Sequence, residues 1–199
     1  MSPFVRASLA GLSVLILGLM AGCASGPGAA DGGPEPPAAR EGRPAASTRV
    51  TFVPEEVTLP GGDSAGVHPS STVDGELVVP EDVDHIGWWD GSASAGDAFG
   101  STVIAGHVDS ATGGVGYFAR LRTIRKGEQV TVRAGAHRLT YRVVSVRSVR
   151  QDALATTSAA FDQKGRHRLV LITCTGTFRP GRGYDMNLVV IAEPLGLAR

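Results

Sequence analysis

The stretch VLITCTG, residues 170–176, joins a run of apolar β-forming residues to a Thr-Gly turn signal. It belongs to a longer apolar run, HRLVLITC (167–174), and a second such run, NLVVIAE (187–193), follows closely. Near-continuous apolar runs of this length are typical of strands buried on both faces. Cys174, one of the 2 cysteines in the chain, closes the first run. We therefore predict a buried strand that places Cys174 at its end.

The segments around these two runs are mostly of β type. Two of them alternate apolar and polar residues and are separated by Gly135, which predicts a hairpin with one solvated face. Helical signals are weak and short. The strand segments are RVTFV (49–53), GELVVP (75–80), STVIAGH (101–107), EQVTVRA (128–134) and HRLTYRVVSVRSV (137–149), and the helical ones are 115–121 and 152–161. The number and spacing of the strands favour an all-β closed barrel with short helical insertions over a sandwich.

The N-terminal segment has the pattern of an export signal. Arg6 precedes an apolar run, residues 9–20, which is too short for a comfortable membrane span but suits a signal-peptide core. The run ends in LMAGCAS (19–25), which resembles a bacterial lipobox and makes Cys23 the expected lipid anchor. The alternative is an uncleaved signal anchor. Either one places the rest of the chain outside the cytoplasm.

These signals divide the chain into three parts. Residues 1–22 are the predicted lipoprotein-type signal peptide. Residues 23–48 are rich in Gly, Pro and Ala, and this composition cannot bury enough apolar surface to fold, so we expect a disordered tether. Residues 49–199 are left as one folded domain.

Charge and histidine spacing exclude several classes of function. Lys plus Arg and Asp plus Glu both total 19, so net charge gives no attraction to nucleic acid. No metal-ligand spacing occurs among His68, His85, His137 and His167 or between them and Cys174, so we expect no metal site. If Cys23 is lipidated, Cys174 has no disulfide partner and remains a lone exported thiol.

A nucleophilic cysteine needs a base, a donor for the developing oxyanion and access to substrate. Cys174 ends one predicted strand, and His107 ends another, STVIAGH, just before a polar loop. Two residues at the ends of neighbouring barrel strands can meet across one cleft. From the residues alone, a Cys174–His107 pair and an inert buried thiol both remain open.

The ordered motifs TVIAGHVDS (102–110), YFARLRTIRKGEQV (117–130), LVLITCTGTF (169–178) and YDMNLVVIAEP (184–194) resemble the sortase family. The likeness is strongest to the class E and F sortases of high-GC Gram-positive bacteria, and it extends over roughly residues 49–194. It implies an eight-stranded sortase-type β-barrel and cysteine transpeptidation.

The resemblance also implies roles for individual residues. Cys174 would be the nucleophile and His107 the general acid and base. Many relatives carry an arginine on or just before the strand after the cysteine, where this chain has Asp185, Met186 and Asn187. Arg182, carried back to the strand end by the loop TGTFRPG (175–181), is the expected replacement, with Arg179 or a neutral donor from Asn187 as alternatives.

Two residues beside the catalytic pair complete the expected site. Asp109 is expected to contact substrate, or to orient the loop or the imidazole, with simple solvation as the alternative. Thr173 precedes the nucleophile and is expected to contact substrate as well.

The implied reaction cleaves a Leu-Pro-x-Thr-Gly-like sorting signal between Thr and Gly and joins the protein to an amine. The expected partners are surface proteins that bear the signal and an amine acceptor such as a peptidoglycan precursor, with the enzyme monomeric and held at the outer face of the membrane. An L,D-transpeptidase is disfavoured, because LIT rather than a Ser-His-Gly run precedes Cys174. A sortase-like lipoprotein that binds peptide without turnover is the remaining alternative.

Overall fold

The computed structural model describes residues 49–157 and 159–199. The predicted signal peptide, the tether up to residue 48 and the lipid anchor Cys23 therefore lie outside the described residues. Within those residues, no helix has the length and apolar character needed to cross a membrane.

The described part of the chain is built mainly from strands, with short helical turns between them. Eight of the strands close into a barrel in the order β1-β2-β5-β6-β11-β12-β10-β9, which confirms the predicted all-β closed barrel. The strands are β1 (Glu56–Thr58), β2 (Ser64–Ser70), β3 (Thr72–Val73), β4 (Glu76–Leu77), β5 (Ile86–Trp89), β6 (Ser101–Ala105), β7 (Asp109–Ser110), β8 (Gly114–Val115), β9 (Gln129–Ala134), β10 (His137–Arg150), β11 (Arg168–Arg179) and β12 (Gly183–Pro194).

The first part of strand β11, residues 169–173, is buried on both faces, as its apolar run predicts. It pairs in parallel with β6 on one side and antiparallel with β12 on the other. Leu169 and Leu171 pack into the barrel interior, whereas Val170 and Ile172 pack into a second cluster on the outer face. Because side chains alternate along a strand, each residue of β11 can be assigned to one of these two faces.

Strand β11 extends further than its sequence indicates. The Thr-Gly signal after Cys174 does not end the strand, because Gly176 adopts a left-handed conformation (φ 85°) inside a β-bulge. The register of β11 against β12 shifts between Thr175 and Phe178, and pairing then continues to Arg179. The two strands therefore form one long hairpin whose tip is residues 180–182.

The helical insertions are short, as expected. A 3₁₀ helix at Tyr117–Arg122 is held to the barrel by the Tyr117 hydroxyl, whose single proton lies between the carbonyls of Val57 and Asp63, at 2.9 and 2.7 Å. Two further 3₁₀ turns at Gln151–Ala153 and Ala159–Phe161 flank the one-turn helix α1 at Leu154–Thr157.

Two segments expected to be strands are largely irregular. In RVTFV (49–53) only Phe52 forms an isolated bridge, to Ala95, and GELVVP (75–80) contributes only the two-residue β4. Both segments lie outside the barrel strands, so pairing with barrel neighbours does not reinforce their β propensity.

Candidate active site

His107 and Cys174 occupy equivalent positions just beyond the parallel pairing of two adjacent strands. The last paired residues of β6 and β11 are Ala105 and Ile172, and each candidate lies two residues beyond its own member of that pair. Pairing continues past Ala105, because the Gly106 amide donates to the Ile172 carbonyl at 3.1 Å. Neighbouring strands run about 4.8 Å apart. The barrel therefore brings the two predicted residues together.

Strand alternation places both residues on the outer face of the barrel. Ala105 and Ile172 belong to the outer cluster, and residues two positions further along a strand share their face. Cys174 is directly paired with Asn187 of β12, so these two side chains also share a face. Cys174 and Asn187 thus share the outer face at this end of the barrel, where His107 follows β6, and Asn187 is only 8% exposed.

Thr173 lies behind this face rather than on it. Its side chain is only 2% exposed, and its hydroxyl donates to the Gly106 carbonyl at 2.8 Å. Thr173 is not among the residues that line the groove described below. The expectation that Thr173 contacts substrate does not fit this geometry, because its hydroxyl is used to join β11 to the strand end that carries His107.

Two glycines allow His107 to lie where it does. A β-carbon at Gly106 would lie 2.7 Å from Ile86 Cγ2 and 3.0 Å from Phe118 Cδ2, both buried in the core. A β-carbon at Gly116 would lie 2.5 Å from the carbonyl oxygen of His107. Close packing, rather than an unusual backbone angle, therefore requires glycine at both positions.

His107 and Cys174 open onto a groove of about 760 Å³ on the outer face. Its walls come from the loop after β6, the β7–β8 hairpin and the β11–β12 hairpin. Val115 and Phe178 stand exposed at its rim, at 76% and 58%. The lining residues are His107, Val108, Asp109, Ser110, Ala111, Gly114, Val115, Gln151, Cys174, Phe178, Gly183 and Tyr184. A groove of this size accommodates a short extended peptide beside the thiol.

Asp109 lines the groove, and Tyr184 holds its carboxylate from the opposite wall. The Tyr184 hydroxyl donates to Asp109 Oδ2 at 2.6 Å, and this bond raises the pKa of Tyr184. The guanidinium of Arg122 lies over the Tyr184 ring, 5.8 Å from its centroid, as in a cation–π contact. Sequence reasoning missed both Tyr184 and Arg122, since no local motif links positions that far apart.

The ionisation of Cys174 is opposed by its surroundings. Burial raises the pKa of the thiol, and the negative charge of Asp109 raises it further. A thiol with a raised pKa is almost entirely protonated at neutral pH, so attack by sulfur requires a base. His107 is the one imidazole among the described residues that line the groove.

The structure does not bring Arg182 to the groove. Because β11 runs on to Arg179, Arg182 lies exposed at the hairpin tip, where its amide donates to the Arg179 carbonyl. Gly183, the next residue, and Phe178 do line the groove, so the hairpin borders the groove while Arg182 is not among its lining residues. Asn187 is the polar residue that β12 pairs with Cys174, and it is not among the lining residues either.

Metal-ligating side chains do not converge in the described part of the chain. No three His, Cys, Asp or Glu residues there lie in positions that hold a metal ion. Cys174 is a free thiol.

The sequence model of the Sortase domain matches residues 67–195. Solved sortases share the fold at low sequence identity. Sortase C of Streptococcus pneumoniae superposes with a TM-score of 0.54 and 17% identity, over 72% of this chain and 66% of that one. Sortase C-1 of Actinomyces oris superposes with a TM-score of 0.55 and 21% identity, over 71% of each chain. Sortase A of Corynebacterium diphtheriae gives 0.55 and 20%, over 74% of this chain and 63% of that one.

This chain thus spans slightly less than two thirds of the length of the Streptococcus pneumoniae and Corynebacterium diphtheriae chains. No curated protein matches it significantly in sequence.

Proposed function

This chain belongs to the sortase family, and we propose that it is a cysteine transpeptidase that cleaves a Leu-Pro-x-Thr-Gly-like sorting signal between Thr and Gly. The observation that carries the proposal is the placement of His107 and Cys174 at equivalent positions just beyond the parallel pairing of β6 and β11, open to one groove. A thiol beside an imidazole, with room for an extended peptide, is the arrangement that acyl transfer to sulfur requires.

In the first half-reaction His107 takes the proton from the Cys174 thiol as sulfur attacks the Thr carbonyl. A C–S bond forms, and the carbonyl oxygen becomes an oxyanion. His107 then gives the same proton to the nitrogen of the departing glycine, and the C–N bond breaks. The products are a thioester on Cys174 and a peptide with a free amine.

We assign the oxyanion donor to Asn187 rather than Arg182. The position of Asn187 directly across from Cys174 supports this assignment, because paired residues on adjacent strands have β-carbons about 5 Å apart. A side-chain amide supplies an N–H donor without a charge, as in other enzymes that stabilise tetrahedral intermediates.

In the second half-reaction an amine displaces Cys174 from the thioester and takes the acyl group into a new amide bond. Surface proteins that carry the sorting signal are the proposed donors, and an amine such as that of a peptidoglycan precursor is the proposed acceptor. The enzyme acts as a monomer and uses no cofactor in this scheme.

We place the enzyme at the outer face of the cell membrane, as a class E or F type sortase. The lipobox-like LMAGCAS supports a lipid anchor at Cys23, and the Gly/Pro/Ala-rich segment 23–48 supports a tether between membrane and barrel.

Turnover of a fluorogenic Leu-Pro-x-Thr-Gly peptide by the wild-type chain, Cys174→Ala and His107→Ala tests the proposal. We expect each variant to lose at least about two orders of magnitude in kcat/KM. His137→Ala is the matched control, because His137 is exposed in the β9–β10 hairpin outside the groove. Peptide binding by the wild type without cleavage would favour the non-catalytic binding protein instead.

A further inference from the structure

Asp109 is a carboxylate with unused binding capacity beside the nucleophile. It lines the same groove as Cys174, and among the described residues its side chain has one hydrogen-bond partner, Tyr184, at Oδ2. No Lys, Arg or His of the described residues lies within ion-pair distance of it. Oδ1 is therefore left without a protein partner, and the negative charge is not paired.

This charge is unfavourable for the first half-reaction. A carboxylate near sulfur opposes formation of the thiolate, and the raised pKa of Cys174 has the charge of Asp109 as its second cause after burial. A neutral Asn would have the same size and no such effect. The carboxylate is better matched to the second half-reaction.

The acceptor of the second half-reaction arrives with a positive charge. Primary amines of lysine type have a pKa of about 10.4, and α-amino groups about 8, so both reach the groove mainly as ammonium ions at neutral pH. An ammonium donates three hydrogen bonds and accepts none, so an unpaired carboxylate is a suitable partner.

We propose that Asp109 binds the ammonium group of the acceptor amine and that Tyr184 orients the carboxylate for this purpose. The assignment rests on the proposed transpeptidase function. Tyr184 donates to Oδ2 from the β12 wall, which leaves Oδ1 for the incoming ligand. Arg122, at the end of the 3₁₀ helix Tyr117–Arg122, lies over the Tyr184 ring and also acts on its hydroxyl, but it does not line the groove.

The acceptor amine loses two protons in this step, one to solvent and one to the sulfur of Cys174. The acceptor R–NH₃⁺ held by Asp109 releases one proton to solvent and attacks the thioester carbonyl as R–NH₂. The C–N bond forms and the C–S bond breaks. The second proton of the nitrogen passes to His107 and then to the sulfur of Cys174, which restores the thiol and the neutral imidazole.

Two nucleophiles of different charge separate this role from a general effect on catalysis. Triglycine carries an ammonium group at neutral pH, whereas hydroxylamine is mostly uncharged there. The partition of the acyl-enzyme between aminolysis and hydrolysis is measured with each nucleophile for the wild type, Asp109→Asn and Tyr184→Phe. Asp63→Asn is the matched control, because Asp63 pairs with Arg120 away from the groove.

For Asp109→Asn we expect the aminolysis-to-hydrolysis ratio with triglycine to fall about tenfold, as for loss of one charged hydrogen bond. The ratio with hydroxylamine should change less than about twofold. Tyr184→Phe keeps the carboxylate and should show a smaller fall with triglycine only.

Equal falls with triglycine and hydroxylamine, or no fall with triglycine, would overturn the role of Asp109 while leaving the transpeptidase proposal in place. If the wild-type chain forms no acyl-enzyme and turns over neither nucleophile, the proposed function fails, and the assignment of Asp109 fails with it.

Discussion

Cys174 and Asn187 face each other as directly paired residues of β11 and β12, and Asn187 is 8% exposed. Their pairing depends on the β-bulge that follows, where residues 176 and 177 oppose Asp185 alone. Beyond this bulge the hairpin leads to Arg179 and Arg182, neither of which lines the groove. The pairing with Cys174 is therefore what supports the proposed donor role of Asn187 in a chain that lacks the arginine expected on β12.

Asn187→Ala is expected to lower kcat by about 100- to 1,000-fold, because loss of one oxyanion donor typically costs about 2.7–4 kcal/mol of transition-state stabilisation. Arg182→Ala and Arg179→Ala should each change kcat by less than about threefold, since surface substitutions away from the site have small effects. Steady-state kinetics on the three single variants measures this. A larger loss in Arg182→Ala than in Asn187→Ala would return the donor role to the arginine.

Alkylation of Cys174 by iodoacetamide is expected to depend strongly on pH. Only the thiolate reacts, and both burial and the charge of Asp109 raise the pKa of the thiol, so the midpoint of the rate should lie above that of an ordinary cysteine. Asp109→Asn removes the second cause and leaves burial in place. Its midpoint should therefore shift to lower pH without reaching the value of an exposed thiol, and a shift to higher pH would contradict the electrostatic role of Asp109.

Much of the barrel and half of the site can be predicted from the sequence, because both depend on local signals. The apolar run 167–174 predicts a strand that carries Cys174 two residues after Ile172. STVIAGH likewise predicts a strand that leads to His107, two residues after Ala105. The partners on β12 could not be predicted in this way. The residue of β12 that pairs with Cys174 depends on the bulge at Gly176. In the sequence, the Thr-Gly pair at this position instead predicts a turn.

The contact between Asp109 and Tyr184 is also invisible in the sequence. It joins two residues 75 positions apart, and it exists only because the barrel places the β7–β8 hairpin opposite the start of β12. Thr173 is a second residue whose surroundings the sequence does not reveal. Its place next to the nucleophile suggested contact with substrate, but strand alternation turns its hydroxyl toward Gly106.

Thr173→Val is expected to destabilise the barrel and slow acylation together. The substitution keeps the shape of the side chain but leaves the buried Gly106 carbonyl without its hydroxyl donor, which costs about 1–3 kcal/mol. For a domain of this size the melting temperature should fall by about 2–4 °C per kcal/mol. Thr175→Val, two residues further along β11, is the control, and an equal melting temperature for the two variants would argue against the role of Thr173.

The mature chain is expected to begin at Cys23 and to carry a diacylglyceryl group on its sulfur. The short apolar run 9–20 followed by LMAGC predicts cleavage before this cysteine. Mass spectrometry of protein extracted from membranes measures the N-terminal mass. Cys23→Ser should leave the N-terminal segment uncleaved and unlipidated, and an unmodified segment from Met1 in the wild type would favour the signal anchor.

Gly116→Ala is expected to impair catalysis more than stability. Gly116 has an ordinary backbone conformation (φ −81°), so alanine is not excluded there by its torsion angles. Its β-carbon would, however, lie 2.5 Å from the His107 carbonyl oxygen and 3.2 Å from that of Val83, and both are backbone atoms. Relief of this contact must displace the segment that carries the imidazole.

A displacement of about 1 Å at a catalytic group lowers the rate by about 100-fold, and we expect a loss of this order in kcat/KM for Gly116→Ala. Gly127→Ala is the matched control. Gly127 has a left-handed backbone (φ 97°) with no atom within 4 Å of the added carbon, so it should cost about 1 kcal/mol of stability and leave turnover near that of the wild type. Kinetics and thermal denaturation of the two variants give both quantities. If Gly116→Ala keeps wild-type turnover, the packing of Gly116 against His107 does not position the imidazole.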